Sequence, residues 1–304
     1  MTNAQYAIKT FDLKKSYNHN TAVTKLNLSV KQGEIFGYLG PNGAGKTTTI
    51  RLLIGLIKPT LGKIWLFGKD TKKHQTDLFN QIGYLPGDIG LYRDLSGNDY
   101  LNHFMKLHAG KYDAPKKTRL MNRFNIAYEK KIATYSKGMR QIIGIIQAFM
   151  HDPKLAILDE PTNGLDPIMQ EIFYEFILEE KKAGKTIFFS SHILTEVGKV
   201  SDRIGFIKEG RLTCVKEAQE FRSNVVKKVS IVPIGNVLQC SEMLEKLDGI
   251  KKIEIDRNKI KFIYSGDILN LVKYVYDMKV KDFICEPPAL EDVFYEYYNK
   301  ESHD

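Results

Sequence analysis

The chain has 304 residues, 43% of them hydrophobic, with a formal net charge of +9 and three cysteines. This apolar content is sufficient for a packed core and excludes disorder as the default state. Cys214, Cys240 and Cys285 are far apart and odd in number, which indicates neither a disulfide framework nor a zinc site and favours a reducing cytosol. The longest apolar run, residues 142–150, is too short to span a bilayer, and the polar residues 1–5 are not typical of a secretory signal.

The charge is distributed unevenly along the chain. From residue 223 onward there are 12 Lys/Arg and 14 Asp/Glu, against 33 and 22 before it, so the net charge changes from +11 to −2. This change predicts a boundary between a first domain, residues 1–222, and a second domain, residues 223–304. A basic domain is compatible with nucleic acid, an anionic membrane surface or simply solvated lysines. Because the lysines form scattered pairs rather than a dense run, we favour solvated lysines and expect no nucleic-acid partner.

The N-terminal pattern predicts two strands, at residues 6–13 and 22–30, where apolar residues partly alternate. Tyr17 lies between them in a polar turn with two asparagines and a histidine. Such an aromatic ring can stack on a nucleobase or can pack on its own strands. Taken alone, the residue favours packing.

A glycine-rich segment, residues 40–48, follows an apolar run typical of a strand and precedes a helical apolar pattern. Strand, glycine-rich turn and helix in this order are the context of a phosphate-binding loop. Glycines let backbone N–H groups approach phosphate oxygens, and the helix N-terminus adds unpaired donors. In such a loop Lys46 reaches the β- and γ-phosphates and the Thr47 hydroxyl ligates Mg²⁺. The predicted nucleotide-binding residues are Gly40, Pro41, Asn42, Gly43, Ala44, Gly45, Lys46, Thr47 and Thr48.

Further along the chain, residues 62–68 and 81–85 are predicted to be strands. From residue 88 to about residue 140 the pattern becomes helical, which predicts a helical insertion. Ser96, followed by Asp99 three residues later, is a candidate N-cap for one of its helices.

Two buried strands are predicted to end in polar residues. Residues 154–160 are an apolar run that ends in Asp159 and Glu160, and residues 186–192 are a second run that ends in His192. In an open α/β sheet, ligands bind at the carboxyl ends of the strands. Asp159 is therefore a candidate Mg²⁺ ligand, and Glu160 is a candidate to orient and deprotonate the water that attacks a γ-phosphate. A lone histidine is usually structural, but His192 at this edge can contact the phosphate and the water.

Together these motifs resemble the ATP-binding subunit of ABC transporters over about residues 4–220. The resemblance rests on four segments in the same order and spacing as in that family: residues 40–48, 135–141, 155–167 and 190–192. It implies an α/β fold, a P-loop NTPase cassette with a RecA-like core, an antiparallel β-subdomain and the helical insertion. It also implies ATP and Mg²⁺ as the bound groups.

The resemblance adds roles that the residues alone do not give. Tyr17 becomes the aromatic residue that stacks on adenine. Ser136 and Gly138 are expected to close over ATP held by the opposite subunit of a cassette dimer, and Asp166 lies in the loop that links the two sites. Catalytic roles are implied for Glu160, His192 and Lys46.

The chain departs from the family pattern at two places. The common signature Leu-Ser-Gly-Gly-Gln has Lys137 and Met139 in place of its middle glycine and its final glutamine. The position usually held by a metal-contacting glutamine is Gly87, which puts one Mg²⁺ or water contact in doubt, with Asp88 as a weak substitute. Residues 287–294 resemble the C-terminal ending of subunits from the multidrug, antibiotic and lipid export branch.

The second domain has its own pattern. Strands are predicted at about residues 226–234, 251–256, 259–264 and 281–285, with helices at 237–247 and 267–278 and a last helix after Pro288. Strand-helix-strand-strand-helix-strand is the ferredoxin-like order. This small α+β domain contains no phosphate, metal or catalytic pattern, and we expect an accessory or regulatory role.

We therefore expect an ATPase subunit that powers a membrane transporter, in keeping with the exporter branch. It would work in a homo- or heterodimer with a second ATP-binding subunit, docked on separate transmembrane permease subunits at the cytoplasmic side of a bacterial cell membrane. The alternative is a soluble ABC ATPase that acts on ribosomes or DNA, although such proteins usually carry two cassettes or a long coiled coil. A P-loop kinase or GTPase is excluded, because it would leave the motif at Ser136 unexplained and no guanine-reading motif is present.

Overall fold

The computed structural model describes residues 5–18, 20–107, 114–219 and 227–286. The chain folds as two compact units. The first comprises residues 1–192 and 200–216, and the second comprises residues 193–199 and 217–304. The predicted domain boundary near residue 222 lies outside the described residues and stays a prediction. Within the described ranges, every helix is too short or too polar to cross a membrane.

The first unit begins with an antiparallel sheet. Its strands are β1 (Tyr6–Tyr17), β2 (Asn20–Leu26), β3 (Ser29–Lys31), β5 (Leu61–Leu66) and β6 (Lys69–Asp70), in the order β2-β1-β5-β6, with β3 also on β1. The segment predicted as one strand over residues 22–30 is two strands. It divides because the Asn27 side chain accepts the amide of Asp12 at 2.8 Å and the amide of Leu28 donates to the Thr10 hydroxyl at 2.9 Å. These side-chain bonds replace the regular ladder.

A second sheet of six strands forms the centre of this unit. Its strands are β4 (Ile35–Leu39), β7 (Ile82–Leu85), β8 (Leu155–Asp159), β9 (Thr186–Ser191), β10 (Arg203–Lys208) and β11 (Arg211–Glu217), in the order β11-β10-β4-β9-β8-β7. The pairs from β10 to β7 are parallel. β4, β8 and β9 are buried along their whole length, which explains their continuous apolar sequences.

Helices flank and interrupt these sheets. They are α1 (Lys46–Leu53), α2 (Gln75–Phe79), α3 (Gly97–Leu107), α4 (Ala114–Arg123), α5 (Lys137–Phe149) and α6 (Pro167–Lys182). The next helix along the chain, α7 (Leu194–Val200), has all but its last residue in the second unit. The helical insertion lies between β7 and β8, as predicted, but its first described helix begins at Gly97 and not near residue 88. Ser96 caps that helix by accepting the amide of Asp99 at 3.1 Å. α5 extends to Phe149 because its face of isoleucines is buried throughout.

The second unit contains a four-stranded antiparallel sheet. Its elements are β12 (Lys227–Pro233), α8 (Val237–Leu244), β13 (Ile250–Asp256), β14 (Lys259–Tyr264), α9 (Ile268–Asp277) and β15 (Val280–Glu286). The strand order is β13-β14-β12-β15, and residues of both helices pack with the sheet in one apolar core. The classification of this unit as ferredoxin-like stays a prediction. The helix predicted after Pro288 and the motif at residues 287–294 lie outside the described residues.

Candidate nucleotide-binding and catalytic site

The order of the parallel strands brings the predicted site residues to one edge of the sheet. β4 pairs with β9, and β9 pairs with β8, in the same direction. The carboxyl ends of these three strands are therefore neighbours. The glycine-rich segment follows β4, Glu160 follows β8, and His192 follows β9.

The backbone of the glycine-rich segment is shaped to present N–H groups. Gly43 and Gly45 have φ angles of +80° and +102°, which other residues rarely adopt. A Cβ atom on Gly45 would also lie 2.5 Å from the carbonyl oxygen of Ala22, whereas a Cβ on Gly43 would meet open space. α1 begins directly after Gly45, and no described side chain caps it. Its first amides are thus available to an anion in front of the loop.

Lys46 places a cation at the mouth of this loop. Its side chain is buried, and its Nζ donates to the carbonyl oxygens of Gly40 at 2.6 Å and Pro41 at 3.1 Å. The same Nζ lies 3.3 Å from Oε1 of Glu160. A phosphate that enters the loop meets this ammonium group and competes with Glu160 for it.

Thr47 and Asp159 provide two oxygen ligands for a metal ion. The Thr47 hydroxyl donates to Oδ2 of Asp159 at 2.7 Å, so both oxygens face the same small space. Hydroxyl and carboxylate oxygens are the hard ligands that Mg²⁺ prefers. Among the described residues there is no group of three or more His, Cys, Asp or Glu side chains that could hold a metal. This donor set fits an ion that takes its other ligands from phosphate and water.

Glu160 is held between two partners. Its Oε1 faces Lys46, and its Oε2 lies 2.8 Å from Nδ1 of His192. Its φ angle is +49°, in the left-handed region that a glutamate rarely adopts. Its carbonyl oxygen accepts a hydrogen bond of 3.1 Å from the Gln141 side chain. The structure thus brings together Lys46, Glu160 and His192, the three predicted catalytic residues.

Sequence reasoning gave no role to Ser190 or Gln141, although both contact the segment that carries the acids. Ser190 Oγ accepts the Glu160 amide at 3.0 Å and donates to Oδ1 of Asp159 at 2.6 Å. Gln141 also donates to the carbonyl oxygen of Pro161 at 3.0 Å. The signal available for Ser190 was its place two residues before His192, in a strand predicted to end at the same edge of the sheet.

The residues predicted to act across a dimer lie at the starts of two helices. Ser136 is exposed and caps α5, and its hydroxyl accepts the amide of Met139 at 3.2 Å. A Cβ atom on Gly138 would lie 2.6 Å from the carbonyl oxygen of Gly164, so only glycine allows this close approach. Asp166 caps α6 and accepts the Met169 amide at 2.9 Å. Their roles toward a second subunit stay predictions.

Two other predicted positions are accessible. Tyr17 ends β1 with an exposed ring, and the ammonium of Lys15 lies 4.8 Å from the ring centroid. Its adenine-stacking role stays a prediction. Gly87 lies against Asp159, the candidate metal ligand, since a Cβ atom there would be 3.1 Å from Oδ2 of Asp159.

The negative charge of Asp159 also acts on Tyr84, a residue of β7. Burial raises the pKa of Tyr84, the charge of Asp159 raises it further, and Arg51 lowers it in part. Tyr84 thus stays a neutral phenol beside the acids.

Comparisons with known proteins find ATP-binding proteins of ABC transporters. A family model described as ABC transporter matches residues 23–163. The chain is 42% identical over 211 residues to the bacitracin transport ATP-binding protein BcrA of Bacillus licheniformis, covering 67% of this chain and 68% of that protein. It is 34% identical over 289 residues to the ABC transporter ATP-binding protein YhaQ of Bacillus subtilis, covering 93% and 95%.

Solved structures agree with these relatives. The structure of an ATP-binding subunit of an ABC transporter superposes with a TM-score of 0.65 at 29% identity, covering 71% of this chain and 92% of that one. The dimeric cassette MJ0796 has a TM-score of 0.64 at 21% identity, covering 69% and 98%. These likenesses confirm the predicted cassette fold, with its P-loop core and antiparallel subdomain.

Proposed function

Because this chain belongs to the family of ABC transporter ATP-binding proteins and is therefore an ATPase, we propose that it hydrolyses Mg-ATP at the edge of β4, β8 and β9 to power membrane transport. The observation that supports this site best is the position of Glu160. Its two carboxylate oxygens lie 3.3 Å from Lys46 and 2.8 Å from His192, beside the loop that presents free amides.

In the proposed reaction, the glycine-rich loop holds the phosphates through its amides, and Lys46 neutralises the charge that develops on the β/γ-phosphates. Thr47 and Asp159 would hold Mg²⁺, which supplies further charge neutralisation when bound. Glu160 orients a water molecule and takes its proton as the water oxygen attacks the γ-phosphorus. The bond to the bridging oxygen then breaks and ADP leaves. His192 holds the carboxylate of Glu160 in place through the 2.8 Å contact.

We propose that the active unit is a dimer of cassettes. Ser136 and Gly138 of one subunit would close over ATP bound to the loop of the other, and Asp166 would link the two sites. The exposure of Ser136 at the start of α5 supports this, because its hydroxyl is accessible to a second molecule. The second subunit is a copy of this chain or a related cassette. Closure on ATP binding and opening after hydrolysis would drive a docked permease.

The names of the relatives support a more specific transport role. BcrA, the protein with 42% identity, is named for bacitracin transport. Together with the tail motif at residues 287–294, this supports an exporter whose transmembrane permease subunits are separate chains. The cassette would then work on the cytoplasmic face of the membrane.

The test of the site is Lys46→Ala, with Lys63→Ala as a control at an exposed lysine of β5. We expect Lys46→Ala to abolish phosphate release and to weaken ATP binding, while the circular dichroism spectrum stays that of the wild type. Lys63→Ala should behave as the wild type. Turnover by Lys46→Ala equal to that of the wild type at saturating ATP would remove the assignment of the loop.

A second experiment tests the partners. We expect a neighbouring gene to encode a protein with about six apolar segments of roughly 20 residues, the length that spans a bilayer. That membrane protein should co-purify with this chain when both are expressed. Stimulation of ATP hydrolysis by ribosomes or DNA, with no response to that membrane protein, would favour the soluble alternative.

A further inference from the structure

Ser190 occupies a position between the two acids of the site. Parallel pairing sets Ser190 directly opposite Asp159 on β8 and opposite Tyr38 on β4. Residues in register on neighbouring strands point to the same face of a sheet, which is why the hydroxyl reaches the carboxylate. The side chain of Ser190 is completely buried.

The hydroxyl group makes two hydrogen bonds of opposite sense. It donates to Oδ1 of Asp159 at 2.6 Å and accepts from the backbone amide of Glu160 at 3.0 Å. One oxygen atom therefore connects the side chain of the metal-binding acid with the backbone of the catalytic acid. A hydroxyl can do both because it carries one donor and two acceptor lone pairs.

The bond to Asp159 sets the orientation of its carboxylate. Oδ1 is bound by Ser190, and Oδ2 is bound by Thr47 at 2.7 Å. With a hydroxyl on each oxygen, the plane of the carboxylate is fixed, and Oδ2 stays on the side of the glycine-rich loop. Gly87, the neighbour of Oδ2, brings no side chain that could take over this task.

The bond to the Glu160 amide supports an unusual backbone conformation. With φ at +49°, Glu160 turns away from the strand direction as soon as β8 ends at Asp159. This turn directs the glutamate side chain toward Lys46 and His192. Left-handed conformations are unfavourable for residues with a Cβ atom, so they persist where surrounding contacts fix them.

We propose that Ser190 is a positioning residue for ATP hydrolysis, which aligns Asp159 for the metal and Glu160 for the attacking water through one hydroxyl. The proposal rests on the proposed roles of these two acids. A misplacement of about 1 Å in a catalytic group can reduce a rate by about 10²-fold. Loss of the hydroxyl should therefore act on turnover and on metal dependence more than on nucleotide affinity.

The experiment compares Ser190→Ala and Ser190→Cys with Thr186→Ala. Thr186 lies at the other end of β9, is equally buried, and accepts the Gly33 amide at 2.9 Å, so its loss removes a similar buried hydrogen bond away from the site. We expect kcat to fall about 10–100-fold in both Ser190 variants, with KM for ATP within about threefold and the half-saturating Mg²⁺ concentration raised. Thr186→Ala should lower the unfolding midpoint but leave kcat within about twofold.

A double variant tests whether Ser190 acts through Glu160. If it does, Ser190→Ala should lower the residual turnover of Glu160→Gln by far less than it lowers that of the wild type, because the group it positions is already gone. Wild-type kcat and Mg²⁺ dependence in both Ser190 variants, alongside an inactive Glu160→Gln, would overturn this inference alone. Wild-type turnover in Glu160→Gln would instead overturn the proposed function.

Discussion

The substitution Glu160→Gln separates nucleotide binding from hydrolysis. Glutamine has nearly the same shape, but it carries no charge and cannot take a proton from water. If general-base catalysis has its usual share, hydrolysis should fall by about 10²–10⁴-fold, which corresponds to about 3–5 kcal/mol of barrier. Lys46, Thr47 and Asp159 remain, so the nucleotide and the metal should still bind.

The structure also predicts the direction of the change in ATP affinity. Lys46 and Glu160 are 3.3 Å apart, and at an effective dielectric constant of about 20 their attraction is about 5 kcal/mol before desolvation. Desolvation offsets most of it, and charge-assisted contacts retain about 1.5–3 kcal/mol. ATP must compete with this contact for Lys46. Removal of the carboxylate should therefore leave ATP affinity unchanged or raise it, by up to about 10²-fold if all of the ~3 kcal/mol is recovered.

Three measurements check this prediction: phosphate release, equilibrium binding of ATP, and sedimentation with Mg-ATP. Because ATP persists, more dimer should form than with the wild type, and a further Ser136→Ala change should reduce it. Glu175→Gln is the control, since this exposed acid lies on α6 and forms a long ion pair of 3.7 Å with Arg123. If the isolated chain stays monomeric, the rate of phosphate release is the measurement that tests the role of Glu160. Wild-type turnover in Glu160→Gln would refute that role.

The remaining predictions concern a buried lysine, the second domain and Gly87. Lys116→Met should lower the free energy of unfolding by about 2–4 kcal/mol in urea titrations, because the buried ammonium binds Asp152 at 2.6 Å and Glu180 at 2.8 Å. The control Lys117→Met should lower the free energy of unfolding by less, because the Lys117 ammonium binds the neutral amide oxygen of Asn102. A chain ended near residue 222 should still bind ATP but dimerise or dock less well; a folded truncation without ATP binding would contradict the boundary. Gly87→Gln should change the Mg²⁺ dependence of hydrolysis.

The motif-bearing parts of the site could be predicted from the sequence because their chemistry depends on neighbours in the chain. Residues 40–48 carry their own glycines, lysine and threonine, and the acids at the end of β8 follow a continuous apolar run. The parallel order of β4, β9 and β8 then brings these segments to one edge.

The contacts made by Ser190 and Gln141 could not be predicted in the same way. Ser190 is 31 residues from Asp159 and Gln141 is 19 residues from Glu160, so their hydrogen bonds depend on sheet register and helix packing. The break between β2 and β3 has a related cause, because the Asn27 side chain accepts the backbone amide of Asp12, 15 residues earlier in the chain, in place of a regular ladder bond. Local periodicity contains no information about such partners.

Gly87 shows how a missing side chain can be tested against the space that surrounds it. Its φ lies outside the left-handed region, so a larger residue is not excluded by the backbone. A Cβ atom there would lie 3.1 Å from Oδ2 and 3.3 Å from Cγ of Asp159, so that carboxylate must move by a few tenths of an ångström. Gly87→Gln would then bring an amide oxygen beside Thr47 and Asp159, where it can supply a third ligand to Mg²⁺.

The comparison of Gly87→Gln with Gly87→Ala separates the effect of the glutamine amide group from the effect of the Cβ contact with Asp159. Alanine adds the Cβ atom and its close contact with Asp159, but it adds no metal ligand. We expect the half-saturating Mg²⁺ concentration for hydrolysis to fall by about threefold to tenfold in the glutamine variant, which corresponds to about 0.6–1.4 kcal/mol of added metal affinity. In the alanine variant it should stay the same or rise. Equal Mg²⁺ dependence in the wild type and both variants would mean that the segment at Gly87 is a passive loop, and that Thr47 and Asp159 hold the metal without a third protein ligand.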